Sequence, residues 1–161
     1  MITDTDMRHL KRCVALAAEA LAAGERPFAS VLVGADGTVL AEDHNRAMST
    51  GDPTQHPEFA LARWAAAHLT PEQRAGATVY TSAEHCPMCS SAHAFAGLGR
   101  IVYVSSAAQF TAWLAEFGIV LSRPVKSIPI QQVAPGIAVE GPIPELADQV
   151  RELQRQFYAG A

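Results

Sequence analysis

The chain has 161 residues, 49% of them apolar, which fits one domain spanning 1–161 with a sizeable core and excludes a disordered chain. The formal net charge is −4, and no lysine/arginine cluster of the kind a nucleic-acid binder shows is present; Lys11-Arg12 and the arginines at 151 and 155 read as helix-face charges. The apolar stretches are too short to span a bilayer, residues 1–6 are polar and acidic and so unlike a signal peptide, and three cysteines with two in a C-x-x-C argue against a disulfide framework and for the reducing cytoplasm.

Residues 4–23 read as a helix ending at Gly24, with Cys13 a buried free thiol. Residues 28–33 form a strand, Ala35-Asp36-Gly37 a turn and 38–42 the paired strand, since Asp-Gly between apolar runs is a strong hairpin signal. Residues 43–55 read as a polar loop, 56–68 as a helix and 69–76 as a connector. A short buried strand follows at 77–81, then a helix over 86–96 closed by Gly97 or Gly99, a strand at 100–104 and a helix at 107–117. Strand–helix–strand alternation from residue 77 predicts parallel neighbours, hence a mixed sheet with helices on both faces. Residues 118–143, rich in Pro, Gly and branched side chains, are the least legible, and 143–158 reads as a terminal amphipathic helix with Pro144 near its start.

Two strings carry the chemistry: His56-Pro57-Glu58 and, thirty residues on, Cys86-Pro87-Met88-Cys89. They supply three metal ligands and a carboxylate free to move protons, and three protein ligands with a position left for water is the pattern of a catalytic zinc site. Each first ligand precedes a proline, which is favoured at the first helical position, so His56 and Cys86 each read as a helix cap. Inside a regular helix His56 and Glu58 would point about 200° apart, given ~3.6 residues per turn. With His56 at the cap, both can face one site. Cys86 and Cys89, three apart, share a helix face, and two positive helix ends converging there stabilise thiolates. Alone, a C-x-x-C is more often a zinc knuckle or redox pair and an H-x-E is usually chance; together, in this order and at helix starts, they point to a metal hydrolase.

The two strings, with Pro27-Phe28, Val31-Leu32-Val33, Asp36-Gly37, His44-Asn45, Asp52-Pro53-Thr54, Tyr80-Thr81-Ser82 and Glu84-His85, span about two thirds of the chain and resemble the cytidine deaminase-like superfamily. Within it the chain is most similar to the compact guanine deaminase and tRNA adenosine deaminase branch. The resemblance implies an α/β fold of three layers, α/β/α, around a mixed five-stranded sheet. It also implies Zn²⁺ on His56, Cys86 and Cys89, and Glu58 as the catalytic acid–base that takes a proton from water and returns protons to a ring nitrogen and the departing amine. Asn45 and Phe28 would contact the substrate, though a turn-forming asparagine and an ordinary core phenylalanine fit the same positions. His85 stands where the family has proline; it would line the pocket or support the ligands, with a fourth-ligand role the alternative. Glu84 would cap or orient the following helix. Trp113 and Phe117 lie on a helix that contributes to the pocket in the family, but read here as core.

Pro57 departs from the family's alanine, whose backbone N–H by resemblance donates to the bound base; proline has no N–H to give. The implied function is hydrolytic deamination of a free nucleobase or similar amino-heterocycle, of guanine, cytosine/isocytosine or aminotriazine type. A tRNA adenosine deaminase and a catalytically silent zinc-binding module are the alternatives. The expected partners are a small-molecule substrate and water, with no nucleic acid and no membrane. The resemblance further implies a homodimer, with the terminal helix able to cross between subunits.

Overall fold

In the computed structural model, which describes residues 1–160, the chain runs α1 (Asp4–Ala22), β1 (Ala29–Val33), β2 (Val39–His44), α2 (Ala47–Thr50), α3 (Pro57–His68), α4 (Pro71–Gly76), β3 (Thr78–Ala83), α5 (Pro87–Ala96), β4 (Arg100–Ser105), α6 (Ala107–Glu116), α7 (Ile130–Val133), β5 (Val139–Glu140) and α8 (Pro144–Ala159). The sheet order is β2-β1-β3-β4-β5; β1 is antiparallel to both β2 and β3, while β3–β4 and β4–β5 are parallel. The mixed five-stranded sheet is thus as expected. The turn at Gly34–Thr38 is closed by the Gly34 N–H on the Thr38 carbonyl at 2.8 Å, and Gly37, at φ +84°, takes the left-handed position glycine tolerates best.

Side chains alternate across a strand, and that period builds the two outer layers. Val31, Val33, Tyr80, Val102 and Val104 pack with Leu10, Cys13 and Leu16 of α1, Trp113 of α6 and Leu146 and Val150 of α8. Leu32 and Val79 face the other way, onto Leu61, Ala62 and Ala65 of α3 and Leu98. Ile101 and Tyr103 on that second face pack on Ile130 of α7. Cys13 is a free, fully buried thiol, as the sequence implies, and Trp113 is core. Glycine has a specific job at Gly99, where a Cβ would collide with the carbonyls of Ala75 and Ala77.

Three segments differ from expectation. The polar loop 43–55 gives its first two residues to β2 and holds the short α2. The connector 69–76 contains α4, started by a Thr70/Gln73 capping box. Residues 118–143 contain α7 and the two-residue β5. Long-range polar contacts order these short pieces. The buried Glu25 carboxylate accepts the Met48 and Ser49 N–H groups at 2.9 Å each. Glu84 accepts the N–H of Ala107 at 2.8 Å and of Ile130 at 3.0 Å, one oxygen each, so a single side chain caps both α6 and α7.

Asp6 joins the sheet to α1. It closes a capping box with Thr3 and accepts Tyr80 Oη at 2.7 Å and Arg100 Nη1 at 2.9 Å; Arg100 in turn reaches Glu140 of β5 at 2.6 Å. Burial alone would raise the Asp6 pKa, but the hydrogen bonds from Thr3, Tyr80 and Arg100 outweigh it and hold the carboxyl well below the usual range. A depressed carboxyl contributes stability above its unfolded value, near ~3.9, and that contribution is lost as pH falls through the folded value. Asp6→Asn is expected to cost about 2–3 kcal/mol at pH 7, since Tyr80 and Arg100 lose a charged partner. In urea unfolding the gap to wild type should narrow between pH 4 and pH 2. An equal gap at both pH values would show that Asp6 acts by shape and not by charge.

Candidate active site

The site forms where α3 and α5 begin, beyond the carboxyl ends of the parallel strands β3 and β4, the usual place for ligands in open α/β sheets. His56 caps α3 with extended backbone (φ −89°, ψ 138°) and Cys86 caps α5 likewise (φ −68°, ψ 167°), each followed by proline at the first helical position. The capping geometry turns His56 and Glu58 toward one point. His56 Nδ1 lies 3.6 Å from Cys86 Sγ and 3.6 Å from Cys89 Sγ, and the two sulfurs are 3.5 Å apart. A tetrahedral zinc with Zn–S about 2.3 Å and Zn–N about 2.05 Å spaces its donors by roughly 3.6 Å (S to N) and 3.8 Å (S to S). The triangle therefore fits zinc, and these three residues could hold a metal ion.

Glu58 sits beside the triangle and outside it as a donor. Thr81 Oγ1 donates to Glu58 Oε1 at 3.0 Å, and Ser30 Oγ lies 3.3 Å from the same oxygen and 2.9 Å from Thr81 Oγ1. Ser30 and Thr81 are register partners across β1 and β3, which places both hydroxyls under the carboxylate. The other oxygen, Oε2, lies 3.6 Å from Cys89 Sγ. Burial raises the Glu58 pKa, with the Cys86 charge pushing the same way against His56 and Thr81. The Cys86 thiol is held down to about 4 by its hydrogen bond with Cys89, against its burial and with help from His56. Cys89 is pushed up by that same hydrogen bond and by burial, and His56 is raised by its bond to Cys86. Surface clefts of about 280 Å³ (between β2 and α3) and 610 Å³ (between α1 and α8) are lined by none of these residues, so donor chemistry and not cavity size marks the site.

The other candidates sit as follows. Pro57 is buried at the first position of α3. Asn45 is buried; its Oδ1 accepts the Ala47 N–H at 3.0 Å as a turn former does, and its backbone N–H donates to the Phe28 carbonyl at 2.8 Å. Phe28, half-buried, meets Phe110 edge-on at 5.5 Å. His85 is buried outside the donor triangle and stands edge-on to His93 at 5.4 Å; neither of its ring nitrogens has a hydrogen-bond partner. The motifs do not single out Ser30, and Thr81 enters them within Tyr80-Thr81-Ser82 without a role. Their signal was a single hydroxyl on each of two strand faces otherwise built from Leu32 and from Val79 and Ala83.

The profile of the cytidine and deoxycytidylate deaminase zinc-binding region matches residues 3–105. A tRNA-specific adenosine deaminase of Agrobacterium fabrum is 42% identical over 88 residues, 53% of this chain and 57% of that protein. The guanine deaminase of Bacillus subtilis is 39% identical over 97 residues, 60% of this chain and 62% of that protein. The matches thus span less than two thirds of these relatives' length. Among solved structures, a guanine deaminase from Nitrosomonas europaea superposes with a TM-score of 0.72 at 19% identity, covering 98% of this chain and 85% of the other, a likeness of fold. A guanine deaminase from Bacillus subtilis does so with 0.60 at 27%, covering 83% and 91%.

Proposed function

Because the chain belongs to the cytidine and deoxycytidylate deaminase family, whose zinc-binding region it carries over residues 3–105, we propose that it is a zinc-dependent hydrolytic deaminase of a free nucleobase or similar amino-heterocycle. The substrate is of guanine, cytosine/isocytosine or aminotriazine type, and ammonia is released. The observation that carries this reading is Glu58: buried, held on one oxygen by Thr81 and Ser30, and turned with the other toward the His56–Cys86–Cys89 triangle. A silent zinc module has no use for that carboxylate.

His56, Cys86 and Cys89 would hold the zinc, which when bound supplies a water whose pKa is lowered toward ~7. Glu58 then does the proton work. Its Oε1 is fixed by the two hydroxyls, so Oε2 is the oxygen that accepts the water's proton and hands it to a ring nitrogen. A second transfer through the same oxygen protonates the amine, a poor leaving group until then. Burial suits the carboxyl to both directions of transfer by raising its pKa. The water oxygen ends as the ring carbonyl, and the amine leaves as ammonia. Asn45 and Phe28 would contact the substrate, and His85 would line the pocket or support the ligands. By resemblance to its family the chain would assemble as a homodimer. Thiols free of disulfides favour the cytoplasm, and among the described residues no helix is long and apolar enough to cross a membrane.

The Agrobacterium relative favours a second reading, tRNA adenosine deamination; the net charge of −4 and the lack of a basic run weigh against it. An ammonia-release screen over free bases, nucleosides and a tRNA anticodon stem–loop tests both. Turnover of a base with an inert stem–loop is expected, and the opposite result reverses the order.

Pro57 bears on the choice of base. A buried substrate carbonyl left without the missing N–H loses about 1–3 kcal/mol, roughly one to two decades of binding. Cytidine should therefore be a poor substrate. Pro57→Ala restores the N–H and should shift relative kcat/KM among guanine, cytosine, isocytosine and aminotriazines by about tenfold; an unchanged profile makes Pro57 structural only.

A further inference from the structure

His85 and His93 form a buried pair that the proton work at Glu58 does not use. Each is 1% exposed, and the rings meet edge-on, with centroids 5.4 Å apart and planes at 78°. His93 Nε2 lies 2.9 Å from the Gly99 carbonyl. A carbonyl only accepts, so Nε2 carries the proton and His93 Nδ1 is left as a bare lone pair. Neither that Nδ1 nor either ring nitrogen of His85 has a hydrogen-bond partner among the described residues. Burial lowers the pKa of both rings, so each is neutral. His85 therefore brings one N–H and one lone pair, and the pair together buries one donor and two acceptors unpaired. Native cores rarely leave such groups unpaired, because each bears its full desolvation cost.

One end of the pair is fixed. The Gly99 N–H donates to the Arg74 carbonyl at 3.1 Å, and a Cβ on Gly99 would meet the carbonyls of Ala75 and Ala77, so the turn that holds His93 has little room to move. The other end touches the metal site through the chain. His85 directly precedes Cys86, whose extended cap backbone aims its sulfur into the donor triangle. The Ser90 hydroxyl lies 3.4 Å from the His85 carbonyl, but no group of the protein bonds the His85 ring. That ring is shut off from solvent and so faces no solvent-borne substrate, and it stands outside the set of metal donors. A single water fits the chemistry between the two rings. It accepts the His85 N–H and donates to His93 Nδ1, with legs of about 2.9 Å, and two partners suffice to hold a buried water.

We propose that one internal water joins His85 to His93, and that this bridge makes His85 a positioning residue that holds the cap of α5 and with it the aim of Cys86. The proposal rests on the zinc reading of the triangle and adds His93, a residue on the same helix well beyond the ligands. The path runs from the Gly99 carbonyl through His93 and the water to His85. Groups that orient metal ligands in this way typically change metal affinity by about 10–100-fold when they are removed.

The test reads zinc retention and the surroundings of the metal. Zinc-loaded wild type and variants are mixed with a colorimetric chelator. His85→Phe and His93→Phe keep aromatic volume but remove the bridge, and each is expected to release zinc at least about tenfold faster. The double variant should release it no faster than the faster single variant, since either loss breaks the one bridge. His93→Gln keeps a donor for the Gly99 carbonyl and an acceptor for the water, and should restore wild-type release. In cobalt-loaded protein the visible ligand-field bands of both Phe variants should shift, while those of Leu98→Ala, a core truncation beyond the far end of α5, should not. In ¹⁵N-histidine spectra of the zinc protein, His93 should be the Nε2–H tautomer and the His85 N–H should show a cross-peak to water. Wild-type release from both Phe variants overturns the proposal, as do losses that multiply in the double variant or a His93→Gln protein that loses zinc as His93→Phe does. Cobalt bands that move as far in Leu98→Ala make the effect one of general stability and overturn it too, and a direct N–H···N coupling between the rings removes the water. A wild type that binds no zinc sinks the zinc reading itself, whereas a zinc-binding wild type with unmoved variants sinks the positioning role alone.

Discussion

Glu58→Gln is expected to bind about one zinc per chain, fold as wild type, and lose deamination by at least ~10²-fold, the usual scale for removing a positioned acid–base. The substitution is nearly isosteric. Its amide oxygen can still accept from Thr81 Oγ1, as Glu58 Oε1 does at 3.0 Å. What disappears is a group that can take up and release a proton beside the metal ligands. Stability should hold or rise, because the buried carboxylate also carries a desolvation cost. A variant that keeps zinc and keeps turnover would remove Glu58 from the proton path.

Cys86→Ala is expected to take zinc from about one per chain to near none, and activity with it, because two remaining donors do not make a zinc site. Metal bound only to the folded state adds stability by mass action, about 4 kcal/mol at a thousandfold excess over Kd. For a chain of this size that is on the order of 10 °C in Tm. Chelator should therefore lower the Tm of wild type by that amount and leave the Cys86→Ala protein unmoved. If the variant retains stoichiometric zinc, Cys86 is not a ligand.

The donor triangle was legible because its constraints are local: a proline after each first ligand fixes a cap, and a cap fixes a direction. The paired strands and the parallel β3–β4 step were legible through period and turn chemistry. α4 carried a readable Thr70–Gln73 box, yet it is exposed and six residues long, so no apolar stripe announced it. α2 and β5 were not legible, because contacts distant in sequence complete them. α2 depends on Glu25, more than twenty residues upstream, and β5 is a two-residue strand that exists only by pairing with β4. Ser30 and Thr81 were hidden for a related reason: each looks like a lapse in an apolar strand until the register sets them opposite one another beneath Glu58.

Glu84 gives the molecule a mechanical joint. It stands two residues before Cys86, and its two oxygens end on Ala107 and Ile130, so the start of the metal helix is wired to the starts of α6 and α7. The C-terminal third is consequently not a freely exchangeable cassette. Grafting that third from a relative would transplant Phe110 and Tyr158, but the graft would seat only if its two helix starts met the same carboxylate in the same register. A one-residue slip at either start would leave one carboxylate oxygen empty, and that slack would pass straight into the turn that aims Cys86.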